Sequence, residues 1–181
     1  LVSAVFNIPA GDIEQTGLSM AGHLVCDSTA SDDDNELSAQ LTTQIFDDPD
    51  AAARYFASAT RSMSAQETAD AAEKLKSAGA SASGSAEATD QLVDALTRNP
   101  LTFDDVDDMG DEARFNEGDG TLTVRRGNLI LAIQAYYGPG MPMPDDMSRF
   151  VEAAAQWQRD TTAERRQAAV RLASALVDSL K

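Results

Sequence analysis

The sequence predicts an α+β fold: a mainly antiparallel β-sheet backed by helices, with an extra helical annex and a C-terminal helix pair. Three observations carry this expectation. Residues 37–46 alternate apolar and polar side chains with a period of two, as a strand with one wet face requires. Turn residues at 116–120 and at Gly127-Asn128 separate further short runs of strand character. Around these runs the apolar period lengthens to that of helices, so the chain reads strands, helices, strands, helices.

Residues 9–16 read as a short helix, with Pro9 in the first turn and Gly17 as the C-terminal cap. Residues 18–27 are a candidate strand, and residues 28–35, which include Asp32, Asp33 and Asp34, a polar loop. In 37–46, Leu37, Ala39, Leu41, Thr43 and Ile45 share one face, while Ser38, Gln40, Thr42 and Gln44 share the other. Asp48 then caps a helix that has Pro49 at its first position and an apolar stripe of Ala52, Tyr55, Phe56 and Ala59.

Ser64 and Glu67 form a capping box for the next helix, which ends near Gly79. Residues 79–85, rich in Ala, Ser and Gly, are expected to be a mobile loop. A third helix covers about 86–98 and stops at Asn99-Pro100, so 63–98 form a helical insertion in a single domain. Residues 111–115 lead through the turn at 116–120 into a strand at 121–126. The Gly127-Asn128 turn then gives a strand at 129–137. The Gly- and Pro-rich linker 138–144 precedes two helices. Met147, Phe150, Val151, Ala154 and Trp157 line the first. Thr161 and Glu164 box the second, whose core stripe is Ala168, Ala169, Leu172, Leu176 and Leu180.

A chain of 181 residues with 43% hydrophobic residues can fill one core. No run approaches the ~18 apolar residues of a membrane span, and the longest, 129–135, contains Gln134. The net charge of −16 repels phosphate backbones and anionic headgroups, which argues against nucleic acid and acidic membranes as partners. It attracts cations and basic proteins. Aspartates outnumber glutamates 21 to 9 and arginines outnumber lysines 11 to 3, a balance that fits a GC-rich genome or a high-salt environment.

Little in the sequence points to catalysis. Cys26 is the only cysteine, so no intrachain disulfide forms, and its apolar run Leu24-Val25-Cys26 reads as a buried, inert thiol. His23, three residues away on a strand, belongs to the opposite face and cannot activate it. The acidic run from Asp104 to Glu112 fails as a calcium loop: each register puts Val106 or Met109 at a position that needs an oxygen ligand. Carboxylate pairs are unavoidable among 30 acids, no phosphate loop or nucleophile elbow occurs, and one histidine cannot build a multi-histidine metal site. Met141, Met143 and Met147 could offer thioethers to Cu(I) but read as packing on the domain edge. The expectation is therefore no enzyme, no cofactor and no metal. Tyr136 and Tyr137, adjacent on a strand, must face opposite sides, so only one joins the core. The other, with Trp157, would edge a groove between sheet and C-terminal helices. Tyr136, Tyr137 and Trp157 are thus the candidate ligand-binding residues, against the alternative that Trp157 and one tyrosine are core.

The run Val106-Asp107-Asp108-Met109-Gly110-Asp111-Glu112-Ala113-Arg114-Phe115 resembles a "V-x-G-L-G-D-E-A" signature. Leu122, Val124, Arg125, Arg126, Gly127, Asn128, Leu129 and Leu131 resemble the "L-x-V-R-x-G-N-x-x-L-x-V" hairpin that follows it. Upstream, Ile45-Phe46-Asp47-Asp48-Pro49-Asp50-Ala51-Ala52 resembles a strand followed by "F-x-S-P-E-A-A". These motifs, over about half the chain, are similar to those of secreted or lipid-anchored actinobacterial proteins of largely uncharacterised function. Those proteins are similar in fold to PsbP-like domains and to the extracellular sensor domains of mycobacterial serine/threonine kinases. Members often carry paired cysteines, where Cys26 here stands alone, and a lipid-bearing cysteine would lie upstream of Leu1. The resemblance implies a non-catalytic, extracytoplasmic domain, in the cell envelope or secreted, that binds an envelope protein or a small ligand. The alternative is a structural or accessory subunit of a larger envelope or membrane complex.

Overall fold

The alternating segment at 37–46 lies beside the central strand of a seven-stranded sheet. In the computed structural model, which describes residues 1–20, 23–32, 34–81, 89, 90, 93, 97, 101–143 and 150–180, the strands are β1 (Glu14–Met20), β2 (His23–Ser31), β3 (Glu36–Ile45), β4 (Phe103–Asp105), β5 (Glu112–Asn116), β6 (Thr121–Arg126) and β7 (Leu129–Gly138). Their order is β1-β2-β3-β7-β6-β5-β4. The helices are α1 (Val2–Phe6), α2 (Pro49–Ala59), α3 (Ala65–Ser81), α4 (Phe150–Asp160) and α5 (Thr162–Ser179), with a 3₁₀ turn at Ala10–Asp12. The fold is α+β, with an antiparallel sheet and a C-terminal helix pair. The chain divides into two compact units, one of Leu1–Thr60 with Asp104–Lys181, the other Arg61–Phe103.

In the first unit, the period of two decides which face each helix covers. Leu37 and Ala39 of β3 share a face with Leu131, Ile133 and Ala135 of β7 and Leu122 and Val124 of β6. α5 packs there through Ala168, Ala169, Leu172, Ala173 and Val177, joined by Phe6 of α1. The small alanines let the helix axis approach the sheet closely, which removes Leu122, Val124 and Ile133 from water altogether. On the opposite face α2 buries Ala52 and Phe56 against Ile130. Burying one such phenylalanine stabilises by about 1.5–3 kcal/mol. Asp48 caps α2 by accepting the Ala51 N–H at 2.7 Å.

The acidic run that begins in β4 is tied to arginines. Asp104 pairs with Arg166, Asp105 with Arg114, and Asp111 and Glu112 with Arg125. Asp111 also accepts the Gly127 N–H at 2.7 Å, which fixes the β6–β7 turn where Gly127 has φ +59°. In the second unit the capping box forms. Ser64 N–H donates to Glu67 at 2.9 Å and Glu67 N–H to Ser64 Oγ at 3.2 Å. The Ser64 N–H, and after it Arg61 at 2.6 Å, hold the Glu67 carboxyl down at about 2.

The strands expected at 37–46, 121–126 and 129–137 all form and lie in one antiparallel sheet. Several other expectations are corrected. Residues 9–16 are not a helix: only Ala10–Asp12 turn, and Glu14 onward is β1, with Gly17 inside it. The expected strand at 18–27 is the hairpin of β1 and β2, and Ser28 to Ser31, expected as loop, complete β2. α1 and β4 were not expected. The helix expected to end near Gly79 runs on through Ser81, so residues 79–81 of the expected loop are helical, and 82–85 lie outside the described residues. Of the helix at 86–98, Thr89, Asp90, Val93 and Thr97 are helical and the rest lies outside the described residues, as do Pro144 and Met147. Tyr55 and Ala59 of the α2 stripe are exposed. Thr161 makes no box with Glu164. Its hydroxyl donates to Trp157 O at 2.8 Å, because α4 and α5 nearly join there and leave that carbonyl within reach. Leu180 caps α5 and is exposed.

Candidate functional site

The outer strands β1 and β2 continue the core face beyond the reach of the helix that covers its centre. The register puts Gly17 opposite Cys26, Cys26 opposite Leu41, and Ser28 opposite both Gln15 and Ala39. Directly opposed residues share a face, so Gly17, Cys26, Ser28 and Ala39 make a floor of small side chains. Leu172 and Leu176 of α5 form one wall, and Leu1 and Val2 at the start of α1 another. Thr16 and Asp27, which the register puts on the other face, also border the groove. The result is a half-open groove of about 380 Å³.

Small floor residues make the concavity. A Cβ added at Gly17 would meet only ordinary contact, the nearest atom being Val25 O at 3.7 Å. Cys26 is half-buried and free. One polar pair stands in this apolar setting: Gln15 Nε2 donates to Ser28 Oγ at 3.2 Å. Ser28 is buried, and among the described residues its hydroxyl has only this partner, so its own proton can still be donated. An apolar hollow of 300–1,000 Å³ with a few convergent polar groups is the usual form of a small-ligand site.

Of the three residues expected to bind a ligand, Tyr136 and Trp157 meet and Tyr137 stands apart. The Tyr136 and Trp157 rings pack edge to face, with centroids 4.9 Å apart and planes at 73°. The Tyr136 hydroxyl donates to Pro139 O at 2.7 Å. Burial raises its pKa above the ordinary phenol value, and Glu164 and Glu36 add to the rise. Tyr137 lies on the other face against Phe6, centroids 6.0 Å apart. Tyr136 and Trp157 border a second groove of about 430 Å³, walled by Asp12, Glu14, Glu36 and the hydroxyls of Thr29, Ser31 and Ser38. Its carboxylates and hydroxyls are well hydrated, so it offers an apolar ligand less than the floor over Gly17 and Cys26.

Sequence reasoning missed Gln15, Gly17 and Ser28 because it did not pair β1 with β2. Had that hairpin been drawn, Gly17, Cys26, Ser28 and Ala39 would have stood out as small residues on one face. His23 and Cys26 fall on opposite faces, as expected. Met143 is exposed rather than packed on the domain edge. Among the described residues no three His, Cys, Asp or Glu side chains are placed to hold a metal ion, and no helix is long and apolar enough to cross a membrane. Compared with protein-family models, curated proteins and solved structures, the chain finds no match.

Proposed function

We propose that this chain is a non-catalytic binding domain of the cell envelope, and that it holds an apolar ligand group in the groove over Gly17 and Cys26. The observation that supports this most directly is the small-residue floor between β1–β3 and α5, with Gln15 and Ser28 as its polar anchor. The ligand that fits has an apolar body and one group able to accept from Ser28 or bond to the Gln15 amide. The extracytoplasmic setting rests on the motifs at 106–115 and 122–131, which resemble those of secreted or lipid-anchored actinobacterial proteins.

The test is titration with the neutral dye N-phenyl-1-naphthylamine. An anionic dye is unsuitable because a net charge of −16 repels it. Saturable, blue-shifted emission that Gly17→Val abolishes supports the reading. Absence of saturable emission, or equal emission from Gly17→Val, overturns it. A second reading, an accessory subunit docking through its helical unit, is favoured by the exposed Leu75 and Leu101 of Arg61–Phe103. It would show as unchanged dye binding in Gly17→Val together with loss of assembly in Leu75→Lys.

A further inference from the structure

Among the described residues β1 is an edge of the sheet, and the strand itself carries none of the usual guards. Strand edges expose unpaired backbone N–H and C=O groups, and proteins shield them with lysines, prolines, bulges or very short strands. β1 pairs with β2 along its whole length, Glu14 with Thr29 through to Met20 with His23, without a bulge. It contains no proline, and Glu14 at one end is its only charge. Residues 1–53 contain neither lysine nor arginine, while Asp12, Glu14 and Asp27 stand on or beside the edge. Leu18 is 59% exposed on the outer strand. Gln15, Thr16 and Gly17 of this same strand line the apolar groove.

From this juxtaposition we propose that the edge of β1 accepts an extended peptide segment of a partner protein as an eighth strand. The segment carries an apolar side chain that enters the groove over Gly17 and Cys26, and basic residues at its ends. This deepens the proposed function and rests on it. The main chain supplies hydrogen bonds, alternate side chains reach the groove, and the acidic, lysine-free border selects positive flanks. A second copy of the chain is disfavoured as occupant by the charge of −16 on each molecule.

The probe is a synthetic peptide alternating threonine and leucine between terminal lysines, followed by amide hydrogen exchange. Binding should slow exchange at alternate residues of Glu14–Met20 and should weaken with salt. A peptide with proline at its centre should not bind. Leu18→Lys puts a guard on the edge away from the groove, so it should weaken the peptide by about tenfold or more and leave N-phenyl-1-naphthylamine binding unchanged. Gly17→Val should abolish both. Peptide binding without slower exchange in β1, equal binding by Leu18→Lys, or no binding while the dye still binds would overturn this inference alone. Loss of both dye and peptide binding in the wild type overturns the proposed function as well. Protection of β1 that rises with protein concentration and without peptide means self-pairing, and overturns the peptide.

Discussion

Gly17 stands directly opposite Cys26 in the antiparallel β1–β2 pair, so the groove floor is bare backbone beside a single thiol. Glycine within a strand is unfavourable, because it loses more chain entropy on folding and offers nothing to pack. Since a Cβ at this site has room, Gly17→Val should stabilise the fold by about 0.5–1 kcal/mol in urea melts. The same change fills the floor and should abolish dye binding. Gain of stability with loss of binding marks a position kept small for its space. Destabilisation would mean that the strand needs glycine for its backbone.

Two other glycines answer to backbone geometry. Gly110 has φ +64°, and a Cβ there would lie 2.5 Å from Arg125 O and 2.8 Å from Val124 Cγ1. Gly127, at φ +59°, has nothing within 4 Å. Gly127→Val therefore meets only conformational strain, about 1–3 kcal/mol. Gly110→Ala meets that strain plus overpacking of about 1–3 kcal/mol against the β6 backbone, and should be the worse of the two. Gly118→Val should cost least, since Gly118 has no positive φ. Urea midpoints at fixed salt give the ranking. A milder Gly110→Ala would contradict the close approach to Arg125.

What could be read from the sequence was whatever faces the core. β3 was legible because one side is dry, so Leu37 and Ala39 alternate with exposed neighbours, whereas β6 and β7 were legible through the Gly127-Asn128 turn between them. α2 was legible through Asp48 and Pro49, whose roles are local. β1 was not, because the residues of Glu14–Met20 whose burial is described are all exposed and carry no alternation. Pro9 and Gly17 then imitated the ends of a helix. Thr161 and Glu164 had the right spacing for a box, but α4 preceding them left the Trp157 carbonyl as the nearer partner. The candidate site followed the same rule. Aromatic residues drew attention to Tyr136 and Trp157, whereas the groove is made by what is missing at Gly17, a signal that exists only once the strands are paired.

The Ser64–Glu67 box makes the second unit sensitive to acid. With Glu67 held at about 2 by the Ser64 N–H and Arg61, its folded pKa lies below the unfolded carboxyl value near 4.3. The stabilisation is therefore fully present above about pH 4.3 and is lost as pH falls through 2. Glu67→Gln removes the charge and should flatten this part of the pH dependence. The difference in helix melting between wild type and Glu67→Gln, followed by circular dichroism, should be largest near neutral pH and vanish only below about pH 2. It should also shrink with added salt, because the pair is exposed. A difference independent of pH would show that the carboxylate charge plays no part in the cap.

Tyr136 offers a readout of the packing between sheet and C-terminal helices. Its ring abuts Trp157, its hydroxyl donates to Pro139 O, and burial with Glu164 and Glu36 nearby raises its pKa. All three causes disfavour the phenolate, so the folded protein should release this proton later than the unfolded chain, whose phenols titrate near 10. Stability should then fall as pH rises from about 10 towards the folded value, because the unfolded state ionises first. Subtracting the ultraviolet absorbance titration of Tyr136→Phe from that of wild type isolates this one group among three tyrosines. Its midpoint should lie above 10, and Tyr136→Phe should lose stability less steeply over that range. Trp157→Ala admits water to the ring and should move the midpoint back towards 10, as removal of desolvation demands. A midpoint at or below 10 in the wild type would mean that Trp157 does not cover Tyr136 in solution.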